Sequence, residues 1–388
     1  MRIDPHDIQI CIGDETCADE RGGAPMTAPI VMTSLFSFPD FQALVDGLAA
    51  EDRTHVYTRG QNPTVEAVEN KLAALERGEA CKVFGSGMAA ISAVMLGTLK
   101  AGDHVLFVNN VYGPTLQLAD RLRAFGIEHD ITLDTNAEAV QQALKPNTRL
   151  IWLESPGTMM MGVLDLDAIA ELARSRGIVT CIDNSWATPL LQKPITRGID
   201  IVVHTCSKYL NGHSDLMAGA VITTAERMRE IFYRSYLLLG GILGPMEAWL
   251  LLRGMRTMPA RLRQQGADAL TIANWLREHS AVRAVYHPAF APNREVVERQ
   301  LAGYSGVFSF ELANGGFDAV KRVIDGLRHF RIGVSWGGVE SLVIAPARPA
   351  NTAALAAQRI PPSLIRVSIG LEGADVLIAD LDQALRKA

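Results

Sequence analysis

The stretch Arg149–Asn184 reads "RLIWLESPGTMMMGVLDLDAIAELARSRGIVTCIDN". An apolar run of strand length, "RLIWLE", leads into an amphipathic helical segment, "DLDAIAELARSRG", and then into a second apolar run, "IVTCID". Neither run alternates with polar residues, so both faces of each strand need cover, as in a parallel sheet flanked by helices. The same alternation continues in both directions. Upstream, "TVEAVENKLAALERG" places Val65, Val68, Leu72 and Leu75 at helical spacing, with Gly78 as the expected stop. "CKVF" follows as a strand, "GMAAISAVMLGTLKAG" as a helix, "HVLFV" as a strand and "TLQLADRLRAFG" as a helix. Downstream, "IDIVVHT" and "GAVITT" predict two more strands. The expected fold class is α/β, with a mostly parallel, doubly wound sheet.

The texture changes at about residue 255. A basic helix, "MPARLRQQGADALTIANWLREH", precedes "GVFSFEL", "GFDAVKRVIDGL" and "LIRVSIGLE", a mixture compatible with a smaller C-terminal α+β domain. In the last of these, Ile365, Val367, Ile369 and Leu371 share one face of a strand, and Arg366 and Ser368 share the other, away from the expected core. Residues 1–60 read as an irregular arm with an apolar patch at "PIVMTSLFSF", which either packs on another surface or is simple loop and short helix. The expected organisation is therefore an arm over 1–60, a first domain over 61–255 and a second over 256–388.

Composition narrows the function. The 388 residues are 48% apolar and 20% charged, with a formal net charge of −5. That fits a soluble globular chain with ample core and argues against nucleic-acid binding. The five cysteines, Cys11, Cys17, Cys81, Cys181 and Cys206, are odd in number and match no zinc spacing. Three lie in strand-like runs as small hydrophobes, so a reducing, cytoplasmic compartment is expected. "MRIDPHDIQICIGDE" has no long apolar core of a signal peptide, and "YLLLGGILGPMEAWLLL" is broken by Gly, Pro and Glu, so no membrane partner is expected. No metal site is expected.

Ligands of doubly wound sheets sit at the carboxyl ends of the strands. That rule singles out Gly85–Gly87, Asn109–Tyr112, Glu154–Pro156, Asp183–Asn184 and Ser207–Lys208. "FGSGMAA" is G-x-G-x-x-A between a strand and a helix, either a tight turn or a phosphate cradle at a helix N-terminus. "HVLFVNN" ends in Asn109 and Asn110 where a dinucleotide site wants an acid, which favours a phosphate over an adenosine ribose. Asp183 either caps the following segment or pairs with a positive ring nitrogen. Lys208, in "VVHTCSKYLNGHSD", is either a solvated strand-end residue or a nucleophile whose amine has lost proton affinity by desolvation. The hydroxyls of Thr205 and Ser207 stand beside it in sequence. A phosphate cradle, an acid and a lysine at three strand ends together describe a pyridoxal 5'-phosphate (PLP) site.

The segments "YTRGQNPTVEAVENKLAALE", "GSGMAA", "VYGPT", "ESPGT", "IDNSWATP", "SKYLNGHSD", "SWGGVESL" and "IRVSIGLE" run from Tyr57 to Glu372. In that order they resemble the Cys/Met-metabolism family of PLP enzymes, of the aspartate-aminotransferase-like fold (fold type I). The resemblance implies that Lys208 anchors the cofactor and moves protons, and that Asp183 partners the pyridine nitrogen. It implies that Tyr112 stacks on the ring, and that Gly87, Met88, Thr205 and Ser207 bind the phosphate. Tyr57 and Arg59 match a pair that reaches the phosphate of a neighbouring subunit, with Tyr57 implied as a catalytic and substrate-binding residue as well, which would make the arm an intersubunit element. Arg366 resembles the clamp on the substrate α-carboxylate, a group that guanidinium grips in two-pronged fashion. Ser335 and Trp336 match the segment lining that clamp. A sulfur amino acid substrate and a homotetramer built from dimers are implied as well.

Within the family, "ESPGT", Trp336, Val334 and Pro114 of "YGPT" resemble members of trans-sulfuration that carry out β-elimination on cystathionine. "GQNPT" is the generic form and keeps γ-acting chemistry open. Two other classes make contrary demands. A nicotinamide oxidoreductase needs the glycine loop but not Lys208, and a non-catalytic binding protein has no need of both Lys208 and Arg366.

Overall fold

A computed structural model of the chain describes residues 1–13 and 22–387; Cys17 lies outside the described residues. The first sheet contains β1 (Ala80–Phe84), β2 (His104–Val108), β3 (Glu128–Thr132), β4 (Thr148–Glu154), β5 (Val179–Asp183), β6 (Ile201–Thr205) and β7 (Gly219–Thr223). Their order is β1-β7-β6-β5-β4-β2-β3. Every pair is parallel except the two made by β7, which runs antiparallel to β1 and β6. The reason lies in the link from Cys206 to Ala218. It contains no helix to carry the chain back across the sheet, as a parallel return requires.

Alternate residues of the inner strands feed two cores. Leu106, Ile151, Leu153, Ile182 and Val202 face one. Phe107, Trp152, Cys181, Val203 and Val221 face the other. This is the double cover that the unbroken apolar runs demanded, and each buried large aliphatic contributes about 1.5–3 kcal/mol. Register places Glu154 opposite Asp183, and Asp183 opposite Val203. The carboxyl ends of β4 and β5 are therefore level, and β6 runs two residues beyond them.

The second sheet contains β8 (Val282–Tyr286), β9 (Val307–Leu312), β10 (Arg331–Ile332), β11 (Leu342–Ile344) and β12 (Leu364–Ser368), in the order β10-β11-β12-β9-β8. Phe308, Phe310, Val343, Ile365 and Val367 pack there against Leu377 and Leu381 of the Ala374–Leu385 helix. Leu371, expected on this face, lies beyond the end of β12 and is exposed. A single helix, Pro245–Glu278, serves both sheets: Leu251 and Met255 join the first core, and Ala269 and Ile272 join the second. The change of texture at residue 255 thus falls inside a helix. It marks a change in what the helix packs against and no break in the chain.

One detail differs from the sequence reading. The Pro63–Glu76 helix ends at Arg77, which takes the left-handed conformation itself (φ 63°), while Gly78 is needed because a Cβ there would collide with Ile222. Among the described residues of the first 60, two helices form, Pro5–Ile12 and Phe41–Leu48, in keeping with the short-helix alternative. Asp7 of the first is buried against Arg77 at 2.7 Å and Lys193 at 2.8 Å. Met26, Met32, Leu35 and Phe41 stand exposed on the same arm. Among the described residues, no helix is long and apolar enough to cross a membrane, and no group of three or more His, Cys, Asp or Glu side chains is placed to hold a metal.

Candidate active site

The ends of β4, β5 and β6 meet the loop 333–341 and β12 of the second sheet. Lys208 follows β6, and its Nζ donates to Ser335 Oγ at 2.7 Å. The same nitrogen lies 5.4 Å from the centroid of the Trp336 ring, which in turn packs at 5.5 Å on Tyr209. Burial, and then the Arg366 guanidinium, bring the Lys208 amine down from 10.5 to about 8, against the opposing pull of Asp183. The first physical requirement of a nucleophilic lysine is therefore met by two separate causes.

Asp183 closes β5. Its Oδ1 accepts from the Ser185 amide at 3.0 Å, and Ser185 Oγ accepts from the Thr205 amide at 2.6 Å. Burial pushes the Asp183 carboxyl up, while Ser185, His204 and Lys208 hold it back. A half-buried acid held in this way is suited to a cationic ring nitrogen, which would restore its charge.

The glycine loop supplies an anion seat. Ser86 caps the Gly87–Thr98 helix by accepting from the Ala89 amide at 3.1 Å, and the leading amides of a helix have no partner within it. A Cβ on Gly87 would collide with Thr205 Oγ1, so only glycine lets β6 approach this helix end. Met88 is half-buried at the same end. Ser207 Oγ is committed to the turn, accepting from the Ala218 amide at 2.9 Å and lying 3.4 Å from its carbonyl. A free helix end beside a hydroxyl, a half-buried acid and a lysine of lowered pKa form a donor set that fits a phosphopyridoxal group.

Arg366 lies on the β12 face that the sequence assigned to it, yet that face is buried as well. The loop covers it: Gly337 N donates to Ser368 Oγ at 3.0 Å. Gly337 is left-handed (φ 81°), and a Cβ there would lie 2.9 Å from the Tyr209 amide nitrogen. Burial lowers the guanidinium to about 10, offset first by Glu154 and then by Tyr112. Arg366, expected on the face away from the core, is therefore a buried cation facing the strand ends.

Glu154 was singled out only as part of a strand end and was given no role of its own. It is a buried carboxyl at the end of β4 whose Oε2 accepts from the Tyr112 amide at 2.8 Å. Burial raises it well above the usual range, Asp183 adds to this, and Arg366 opposes it. The signal was available, since Glu154 occupies a strand end in line with Asp183 and Lys208. Tyr112 itself is about half exposed at the mouth. Tyr57 and Arg59 are exposed and touch each other, with the guanidinium 5.5 Å from the ring centroid. Among the described residues, no hydrogen bond or ring contact joins either of them to the Lys208 group. His204 is fully buried on Glu76 at 2.6 Å.

The sheet order, the glycine loop and the lysine-bearing strand end define a PLP enzyme of fold type I. Residues 11–386 match the family described as Cys/Met metabolism PLP-dependent enzyme, and the chain belongs to that family. It is 38% identical to an L-methionine gamma-lyase of Fusobacterium nucleatum, over 93% of this chain and 94% of the relative. It is 36% identical to the cystathionine beta-lyase MetC of Bacillus subtilis, over 95% and 93%. The solved cystathionine gamma synthase of Xanthomonas oryzae pv. oryzae, in complex with aminoacrylate and cysteine, superposes with a TM-score of 0.89 at 34% identity, over 98% of both chains. The chain is thus a PLP-dependent lyase of cysteine and methionine metabolism.

Proposed function

We propose that the chain catalyses β-elimination on L-cystathionine, releasing homocysteine, pyruvate and ammonia. The observation that carries this reading is the setting of Lys208, a desolvated amine held by Ser335 over Trp336 and flanked by Asp183 and Arg366. When bound, PLP supplies a ring that takes up the electron pair left by the Cα proton. Asp183 would accept the hydrogen bond of the ring nitrogen. Gly87, Met88, Thr205 and Ser207 would hold the phosphate, and Tyr112 would cover the ring. Arg366 would grip the α-carboxylate, with Ser335 and Trp336 beside it.

Lys208 Nζ then takes the Cα proton. The Cβ–S bond breaks with its electron pair going to sulfur, Lys208 or Tyr112 delivers a proton to the departing thiolate, and the released aminoacrylate takes up one water to give pyruvate and ammonia. Tyr57 and Arg59 complete the site from a neighbouring chain, and the exposed apolar side chains of the arm support that assembly. A homotetramer of paired dimers follows from this reading. The four described cysteines are buried and free, in keeping with a reducing, cytoplasmic setting.

Relatives with β- and γ-acting names are similar to this chain at nearly equal identity, so the choice rests on side chains. Val334 is 81% exposed beside Ser335 and offers no charge, where γ-lyases of cystathionine resemble each other in a glutamate. Trp336 and "ESPGT" support the same choice. The generic "GQNPT" segment favours the alternative, a γ-acting member. Incubation with L-cystathionine discriminates between them: pyruvate with homocysteine is expected, and 2-oxobutyrate with cysteine would assign γ-elimination instead.

A further inference from the structure

Arg261, on the Pro245–Glu278 helix, is 5% exposed, and among the described residues no carboxylate pairs with it. Its Nη2 donates to three main-chain carbonyls: Tyr209 at 3.0 Å, Asn211 at 3.3 Å and Gly254 at 2.9 Å. Nε donates to Thr257 Oγ1 at 3.0 Å, and Nη1 is buried without a partner. Two of the three carbonyls belong to the turn that follows Lys208 immediately. That turn is tied back to the lysine by the Gly212 amide, which donates to the Lys208 carbonyl at 2.7 Å.

Glycine makes the clamp possible from both sides. Gly212 is left-handed (φ 73°), and a Cβ there would collide with the Arg261 guanidinium, while a Cβ on Gly254 would collide with the Asn211 carbonyl. Isolating a cation from water and from any counter-charge is costly unless dipoles replace the lost hydration. Here the carbonyls of one turn do so, and the turn in exchange is fixed against the helix.

We propose that Arg261 is a positioning residue for Lys208. By holding the Tyr209 and Asn211 carbonyls, it sets the turn that carries the amine, and with it the Tyr209 ring that supports Trp336 beneath Nζ. A planar fork reaches Thr257 and the carbonyls together; an ammonium lacks the second arm.

This inference rests on Lys208 as the cofactor lysine, so the test begins there. Borohydride reduction of the cofactor-loaded wild-type protein, followed by peptide mapping, must mark Lys208; absence of the mark refutes that reading itself. Arg261→Gln and Arg261→Lys are then compared with wild type in thermal midpoint, kcat, KM and the pH midpoint of the visible cofactor band. The expected result is folded protein, kcat lower by about 10- to 100-fold with KM within about twofold, and a displaced pH midpoint. Arg261→Lys recovers part of the loss seen in Arg261→Gln. Should the glutamine variant not fold, Arg261→Lys and Thr257→Val, which removes the Nε contact together with the Thr257 Oγ1 bond to the Gly254 carbonyl, carry the same comparison. Marked Lys208 with unchanged kcat and pH midpoint overturns the positioning role, as does a kcat loss that only follows the loss of folded protein.

Discussion

At the residue scale, the site turns on one amine and the groups that lower its proton affinity. Lys208 is desolvated and faces Arg366, so it loses its proton near pH 8 and not near 10.5. Only the neutral amine attacks an aldehyde. Recapture of PLP by the apoenzyme should therefore quicken as pH rises through about 8 and level off above it. Stopped-flow absorbance across pH 6–10 measures this, and a rate still climbing towards pH 10 would show an ordinary lysine. Lys208 and Asp183 were legible in the sequence because they stand at or just past neighbouring strand ends, together with the glycine loop; the Lys208 stretch alone would have passed for a solvated turn. Glu154 stands at a strand end too but was read only as part of it, because its importance comes from Tyr112 and Arg366, which are distant in sequence. Arg261 was illegible for a related reason: in "MPARLRQQG" it looks like one of several solvated cations, and only the approach of the 209–212 turn distinguishes it.

At the scale of elements, the parallel strands follow from helix-length spacers, and that part of the topology was open to sequence reading. The reversal of β7 was not, since it depends on a loop that lacks a crossover helix. Nor was the extent of the Pro245–Glu278 helix, because its two halves face different cores. One buried pair ties the elements to the site. Lys82 on β1 meets Glu69 Oε2 at 2.8 Å and Gln61 Oε1 at 2.8 Å, just past Tyr57 and Arg59. Burial raises the Glu69 carboxyl even with Lys82 beside it. Removing one partner strands the other charge, so Lys82→Met should cost about 3–5 kcal/mol. Urea unfolding monitored by circular dichroism measures that loss. An unchanged midpoint would mean that the pair contributes little to holding this segment.

At the scale of the whole molecule, the arm is the part that a single chain leaves unexplained. Met26, Met32, Leu35 and Phe41 are exposed, and Tyr57 and Arg59 stand apart from the Lys208 group. A surface of that kind calls for a partner chain. Light scattering should give a four-chain mass, and Leu35→Asp with Phe41→Asp should lower the mass and loosen cofactor retention together. A double variant that keeps both properties would detach the arm from the site. Each of these scales bears on the proposed role of the Lys208 amine as cofactor anchor and proton carrier. The most direct test compares wild type with Lys208→Ala, purified in the presence of PLP, for the visible absorbance band and for pyruvate release from L-cystathionine. The account predicts that both vanish in the variant while the fold is retained; a folded Lys208→Ala protein that keeps its band and its turnover would contradict it.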